Sequence, residues 1–176
     1  MENALISLIL IGLILFSVLS ITQVSITSED ALLTSWREME ALSEERARTD
    51  PEWVSASTSP TGNSIDVVLH NGGATRLADF DEWDVVVQYY TTSNTYYIRY
   101  LAYTDNATPG SNEWTVSGIY SDYNSMTPEY YEPDVLNPGE DVVLKLSLSP
   151  PTDPAATKMV IIAVTNGVTV EGIFSN

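Results

Sequence analysis

The side chains able to do chemistry are few, and their spacing limits what they can do. Four carboxylates fall close together at Asp79, Asp81, Glu82 and Asp84. Oxygen ligands at that density suit a calcium ion, and Asp79, Asp81 and Asp84 are the metal candidates. The segment has no glycine where a tight calcium loop makes its turn, and strand alternation would send neighbouring carboxylates to opposite faces. A solvated entry into a strand is the plainer expectation. His70 is the single histidine, and no serine or cysteine nucleophile motif surrounds it, so a general base there has no partner. Its place before Asn71-Gly72-Gly73 reads as a strand end. Asn106-Ala107-Thr108 is an acceptor sequence for N-glycosylation in a polar loop with Pro109 and Gly110, which makes Asn106 the modification candidate. With no cysteine in the chain, thiol chemistry and disulfide bonding are excluded. No catalytic residue and no cofactor site emerge.

The elements that would position these residues fall into two parts, expected at residues 1–50 and 51–176. From Ala4 to Ile21 the chain is almost wholly apolar, and no basic residue precedes that run. A secretory signal needs a positive start and a small-residue cleavage site, so this segment is expected to stay in the working protein. At the helical rise it spans about 27 Å, close to the roughly 30 Å hydrocarbon core of a bilayer. Ser7, Gly12, Ser17 and Ser20 are small enough to let a second helix approach, so packing among sister helices is equally permitted. From Thr22 to Asp30 neither Pro nor Gly intervenes. Leu32, Trp36, Met39 and Leu42 then recur at spacings of four, three and three, an apolar stripe for packing the helix against the domain that follows. Thr49-Asp50-Pro51 ends the helix, because a residue before proline is pushed out of the helical region.

From Trp53 onward the pattern changes to alternation punctuated by turns. Strands are predicted over 53–57, 64–69, 83–90, 95–103, 113–120, 141–148, 159–164 and 168–174, with turn signals at Pro60-Thr61-Gly62-Asn63, Asn137-Pro138-Gly139-Glu140 and Thr165-Asn166-Gly167. The fold class is α+β, a long N-terminal helix followed by an antiparallel immunoglobulin-like β-sandwich. In the third of these strands, Trp83, Val85, Val87 and Tyr89 share one face and Asp84, Val86, Gln88 and Tyr90 the other. Tyr96, Ile98 and Tyr100 likewise alternate with Tyr97, Arg99 and Leu101. Neither face is plainly solvent-like, which suits one core face and one subunit-contact face.

The net charge is −17, with 24 acidic and 7 basic residues. Such a surface repels nucleic acid and anionic headgroups, and it stays soluble where salt screens its self-repulsion.

An uncharged-start apolar helix that passes directly into a β domain of this type resembles the archaellins, the type IV pilin-like subunits of the archaeal swimming filament. Leu69-His70-Asn71-Gly72-Gly73, Asp79 to Val87, and Leu136 to Leu144 are also similar to archaellin segments. Many type IV pilins carry a glutamate five residues into the mature chain; Leu5 occupies that place here, and archaellins do not require the acid. The resemblance implies a precursor whose short basic leader is removed by a membrane peptidase. It further implies a homo-oligomer of many subunits in an extracellular helical filament, built by a separate ATPase and a membrane platform from chains first inserted in the membrane. Leu5, Leu8, Ile11, Gly12, Leu15, Phe16 and Leu19 would form the assembly core. Three other roles stay open: a minor stator or anchor of the same machine, an adhesive pilus subunit, and a single-span membrane protein presenting a ligand-binding sandwich.

Overall fold

The computed structural model describes the backbone of residues 2–175, and within it the side chains of all but residues 2–5 and 24–28. Two compact units result, Met1–Ser43 and Glu44–Asn176. One helix, α1 (Glu2–Arg48), supplies the first and enters the second. Its polar middle does not break it, partly because hydroxyls return to the helix: Thr22 Oγ1 donates to Val18 O and Thr34 Oγ1 to Asp30 O, each at 2.9 Å. Arg46 and Arg48 in the last turn complement the negative end of the helix dipole. At 47 residues α1 is about 70 Å long.

The second unit is a mostly antiparallel β-sandwich. Its strands are β1 (Pro51–Thr58), β2 (Ser64–Asn71), β3 (Asp84–Tyr90), β4 (Tyr96–Tyr103), β5 (Glu113–Asp122), β6 (Thr127–Pro128), β7 (Asp141–Ser147), β8 (Lys158–Ala163) and β9 (Thr169–Phe174). One layer runs β1-β2-β7-β5, with β6 beside β5, and the other runs β4-β3-β8-β9. The layers join through a short parallel pairing, Ala102↔Glu113 and Tyr103↔Trp114. That pairing departs from the all-antiparallel expectation. It arises where the chain leaves β4 in one layer and starts β5 in the other, so the two strands meet side by side with the same direction.

Alternation decides which side chains meet between the layers. Ile65, Val67 and Leu69 of β2, Val85, Val87 and Tyr89 of β3, Leu144 and Leu146 of β7, and Val160 and Ile162 of β8 are all buried, with Trp83 and Trp114 among the largest core side chains. The buried faces of β3 and β4 are those carrying Val85 and Leu101, as the period-two pattern requires. β3 begins at Asp84 because the preceding residues make a 3-10 turn, Phe80–Glu82, which Trp83 closes by donating its backbone N–H to Phe80 O at 3.1 Å. On the side where β1 and β9 lie adjacent, Trp53 packs its ring directly over Gly172. A Cβ at Gly172 would sit 2.0 Å from that ring, so only glycine fits.

Candidate functional site

The described part of the apolar run, Ile6–Gln23, has a mean hydropathy of 2.3 and no buried share. Leu8, Ile11, Leu15, Phe16 and Leu19 are exposed, and open space surrounds Gly12. Leu5 lies outside the described side chains. Leu8, Gly12, Leu15 and Leu19 follow one another at spacings of four, three and four, which places them on one helix face. Ile9, Leu10, Leu13, Ile14 and Val18 fill the rest of the circumference and are exposed too. A helix apolar on every side needs apolar surroundings, either a bilayer or other helices. Further along, Leu32, Trp36, Met39 and Leu42 are exposed rather than buried, with Trp36 at 71% and Leu42 at 41%. Glu29, Leu32, Leu33 and Trp36 line a shallow groove on the helix surface.

Within the second unit, the end of α1 is bonded to two turns of the sandwich. Arg46 Nε donates to Asn166 O at 2.7 Å, and the buried Asn166 side chain donates from Nδ2 to Thr49 Oγ1 at 2.8 Å. Ala74 N–H donates to Arg48 O at 2.8 Å, and Gly72 N–H to Asp50 O at 3.0 Å. The Ala74 bond satisfies one of the carbonyls that a helix end leaves unpaired. Gly73 is required there, since a Cβ on it would lie 2.5 Å from Arg48 O. Gly167, at φ 81°, lets the Thr165-Asn166-Gly167 turn present Asn166 to the helix end. Sequence signals give the turn and the helix stop separately; nothing in either indicates that they bond to each other.

The residues singled out for chemistry are placed apart. Asp79 precedes the 3-10 turn in a left-handed conformation at φ 51°, Asp81 lies within that turn, and Asp84 opens β3. Among the described residues no three acidic or imidazole side chains gather where one ion could be held. His70 lies in β2, with Nδ1 2.8 Å from Asp141 Oδ1, while Asp141 Oδ2 accepts the Tyr123 N–H at 2.9 Å. The imidazole therefore joins β2 to β7 and holds no nucleophile. Asn106 is exposed in the loop between β4 and β5, its Nδ2 donating to Thr104 Oγ1 at 3.1 Å. One group the sequence gave no sign of is Lys158, a fully buried lysine whose Nζ donates to Pro154 O and Ala156 O, both at 2.7 Å, and lies 5.6 Å from the centre of the Phe174 ring.

No family model and no curated protein matches the sequence. Solved structures do match the fold. The archaellum periplasmic stator protein FlaG from Sulfolobus acidocaldarius aligns with 72% of this chain and 99% of its own, at 21% identity and a TM-score of 0.51. The archaeal flagellum of Methanospirillum hungatei strain JF1 aligns with 94% of this chain and 89% of its own, at 10% identity and a TM-score of 0.55. The chain thus shares its fold with solved archaellum components.

Proposed function

We propose that the chain is a structural subunit of an archaellum-type, type IV pilus-like filament outside the cell, and that it works by assembly rather than catalysis. Residues 1–50 are the assembly segment, with Leu5, Leu8, Ile11, Gly12, Leu15, Phe16 and Leu19 in the filament core. Residues 51–176 form the outer domain, of immunoglobulin type. The strand order supports that type, since β1-β2-β7-β5 and β3-β8-β9 reproduce the two sheets of an immunoglobulin sandwich, with β4 added at one edge. Leu32, Trp36, Met39 and Leu42 are the stripe that packs helix against sandwich once neighbouring subunits surround it.

The observation that carries the reading is the continuity of α1. A single helix runs from an apolar segment exposed on every side into the bonded joint at Arg46–Asp50. Left in water, that segment would cost a few tens of kcal/mol, at roughly 1.5–3 per large apolar side chain. Transfer from a bilayer to a bundle of identical helices exchanges one apolar setting for another and costs little. The chain is therefore inserted in the membrane before assembly, and a separate ATPase and membrane platform move it into a polymer that grows by repeated contacts. Leu10→Asp places a charge in the segment at about 2.5–3.5 kcal/mol and should abolish filaments. Electron microscopy of sheared cells reads the outcome, and filaments of normal length and number from that variant would overturn the proposal.

A second reading has its own support. The likeness to the periplasmic stator protein spans nearly all of that chain, and in a minor stator or anchor role the apolar helix of this chain would stay in the membrane. Mass spectrometry separates the two: a filament subunit dominates the sheared fraction, and a stator stays with the membranes.

A further inference from the structure

We infer that the free edge of β4 pairs with the same edge of a second copy of this chain, in antiparallel register about a two-fold axis at Ile98. The inference goes beyond the filament reading and rests only on its membrane-inserted stage, not on polymerisation. β4 pairs with β3 from Tyr96 to Leu101, and on its other side only Ala102 and Tyr103 meet β5. Ala102 N–H donates to Asn112 O on that other side, at 3.1 Å. By strand parity the backbone groups of Tyr96, Ile98 and Tyr100 point the same way, and no strand pairs with them among the described residues.

Natural sheets guard such an edge with lysine, proline, a bulge or a covering loop. Tyr96–Leu101 has no lysine or proline, and its pairing with β3 is unbroken by a bulge. Its outward side chains Tyr96, Ile98 and Tyr100 are exposed; the row from Ile98 runs through Gln88 and Met159 to the exposed Ile173 of β9, and the row from Tyr100 runs through Val86 and Ile161 and meets acids only at its margins, Glu171 on β9 and Asp84, which bonds the Tyr100 hydroxyl. The opposite sheet presents Ser57, Asp66 and Lys145 at the equivalent positions.

Charge identifies the occupant. In a chain of net charge −17, two copies can approach only where the acids are absent. No charged residue occurs from Val85 to Ile98, and Arg99 is the only one between Asp84 and Asp105. In the two-fold register Ile98 faces its own copy, Tyr96 faces Tyr100, and Arg99 faces Tyr97. The single charge on the strand therefore meets an aromatic ring, as it already does within one chain, where Arg99 lies 4.8 Å from the centre of the Tyr97 ring. Arg99 lies on the inward face with Leu101, beside Tyr89, and its Nε is buried with no hydrogen-bond partner. Paired tyrosines and isoleucines across antiparallel strands add to the backbone bonds.

The free edge, Tyr96–Leu101, is about 20 Å long, small for a dimer free in solution. Anchoring both copies in one membrane by their helices raises their effective concentration and populates so weak a contact. An isologous pair closes on two copies, so it belongs to chains side by side in the membrane and is not the contact that extends a filament.

The chain has no cysteine, so single cysteines report directly on the register. The full chain is purified, reconstituted in lipid vesicles and oxidised, and the products are separated without reductant. Ile98→Cys should form disulfide-linked dimers about tenfold faster than Ser57→Cys on the opposite sheet, because facing residues of this pair type lie about 5.5 Å apart. Tyr96→Cys mixed with Tyr100→Cys should cross-link, and each alone should not. Equal rates for Ile98→Cys and Ser57→Cys, or self-linking of Tyr96→Cys as fast as the mixture, would overturn the inference. Failure of Leu10→Asp to disturb filaments leaves this result untouched, so the two proposals fail separately.

Discussion

At the scale of single residues, two positions hold the sandwich together in ways that substitution can read. Gly172 lies under the Trp53 ring, where even a methyl group would stand 2.0 Å from an aromatic carbon. Gly172→Ala must displace Trp53 from its neighbour Phe174, whose ring centre is 6.0 Å away, and should lower stability by about 1–3 kcal/mol. Thermal unfolding gives the loss, and a wild-type midpoint in the variant would show that the ring is not held there. Lys158 is the second position. Burial pushes its ammonium below the usual lysine range, and the nearby Asp153 carboxylate opposes that shift. The folded chain therefore releases the proton before the unfolded chain does. Between the two values the unfolded state binds more protons, so the Lys158 contribution makes stability rise with pH and is fully unfavourable below the folded value. Lys158→Met removes this rise. At neutral pH it also leaves Pro154 O and Ala156 O without their donor, at about 1–3 kcal/mol. Denaturant titrations of both chains from neutral pH up to the lysine range should show the wild-type chain gaining stability relative to the variant as pH rises; a constant difference, or one moving the other way, sinks the assignment.

At the scale of elements, the joint between the helix end and the sandwich rests on Asn166. Its side chain is buried, donates to Thr49 Oγ1 and accepts the Val168 N–H at 3.2 Å, while its carbonyl takes Arg46 Nε. Asn166→Ala keeps the carbonyl but removes the donor to Thr49 Oγ1, whose hydroxyl retains its bond to Glu45 O, and leaves the Val168 N–H without that acceptor; it should cost about 1–3 kcal/mol. Hydrogen exchange at Arg48 through Asp50 should quicken well beyond that at β2 and β7, and uniform protection across all three would contradict a local joint. The elements themselves were legible in sequence because each had a local cause. Proline after Asp50 stops α1, Gly62 and Gly167 turn at positive φ, and alternation marks β2, β3 and β8. What was not legible has no local cause. β6 is two residues including a proline, held only by its pairing with β5. The parallel contact of β4 with β5 joins residues that no turn signal relates, and the Lys158 site depends on carbonyls of a loop that carries no lysine-binding pattern. The exposed face of β4 was readable as a second contact face from its alternation; that its edge is also unpaired follows only from the topology.

At the scale of the molecule, two demands oppose each other: an apolar helix that needs apolar surroundings, whether bilayer or other helices, and an acidic chain whose copies repel. In a filament of the proposed kind, like charges confined around a shared axis would raise the free energy of every subunit added, and the same charges on one sandwich raise the energy of the compact state. Neither effect acts through a specific pair. The ion pairs within the chain include the exposed Arg48–Glu44 contact at 4.0 Å, a contribution too small to offset a charge of −17. Salt is the lever, since the screening length falls from about 30 Å at 0.01 M to about 3 Å at 1 M. Raising sodium chloride over that range should increase the unfolding midpoint by about 5–10 °C, corresponding to roughly 2–3 kcal/mol of relieved repulsion. Screening saturates once the screening length is shorter than the spacing between charges, so the midpoint should level off toward 1 M. Sucrose, which strengthens burial without screening, should not reproduce the low-salt part of the curve. A midpoint indifferent to salt below about 0.2 M would mean that the carboxylates are too dispersed to repel. The acidity would then constrain neither stability nor assembly.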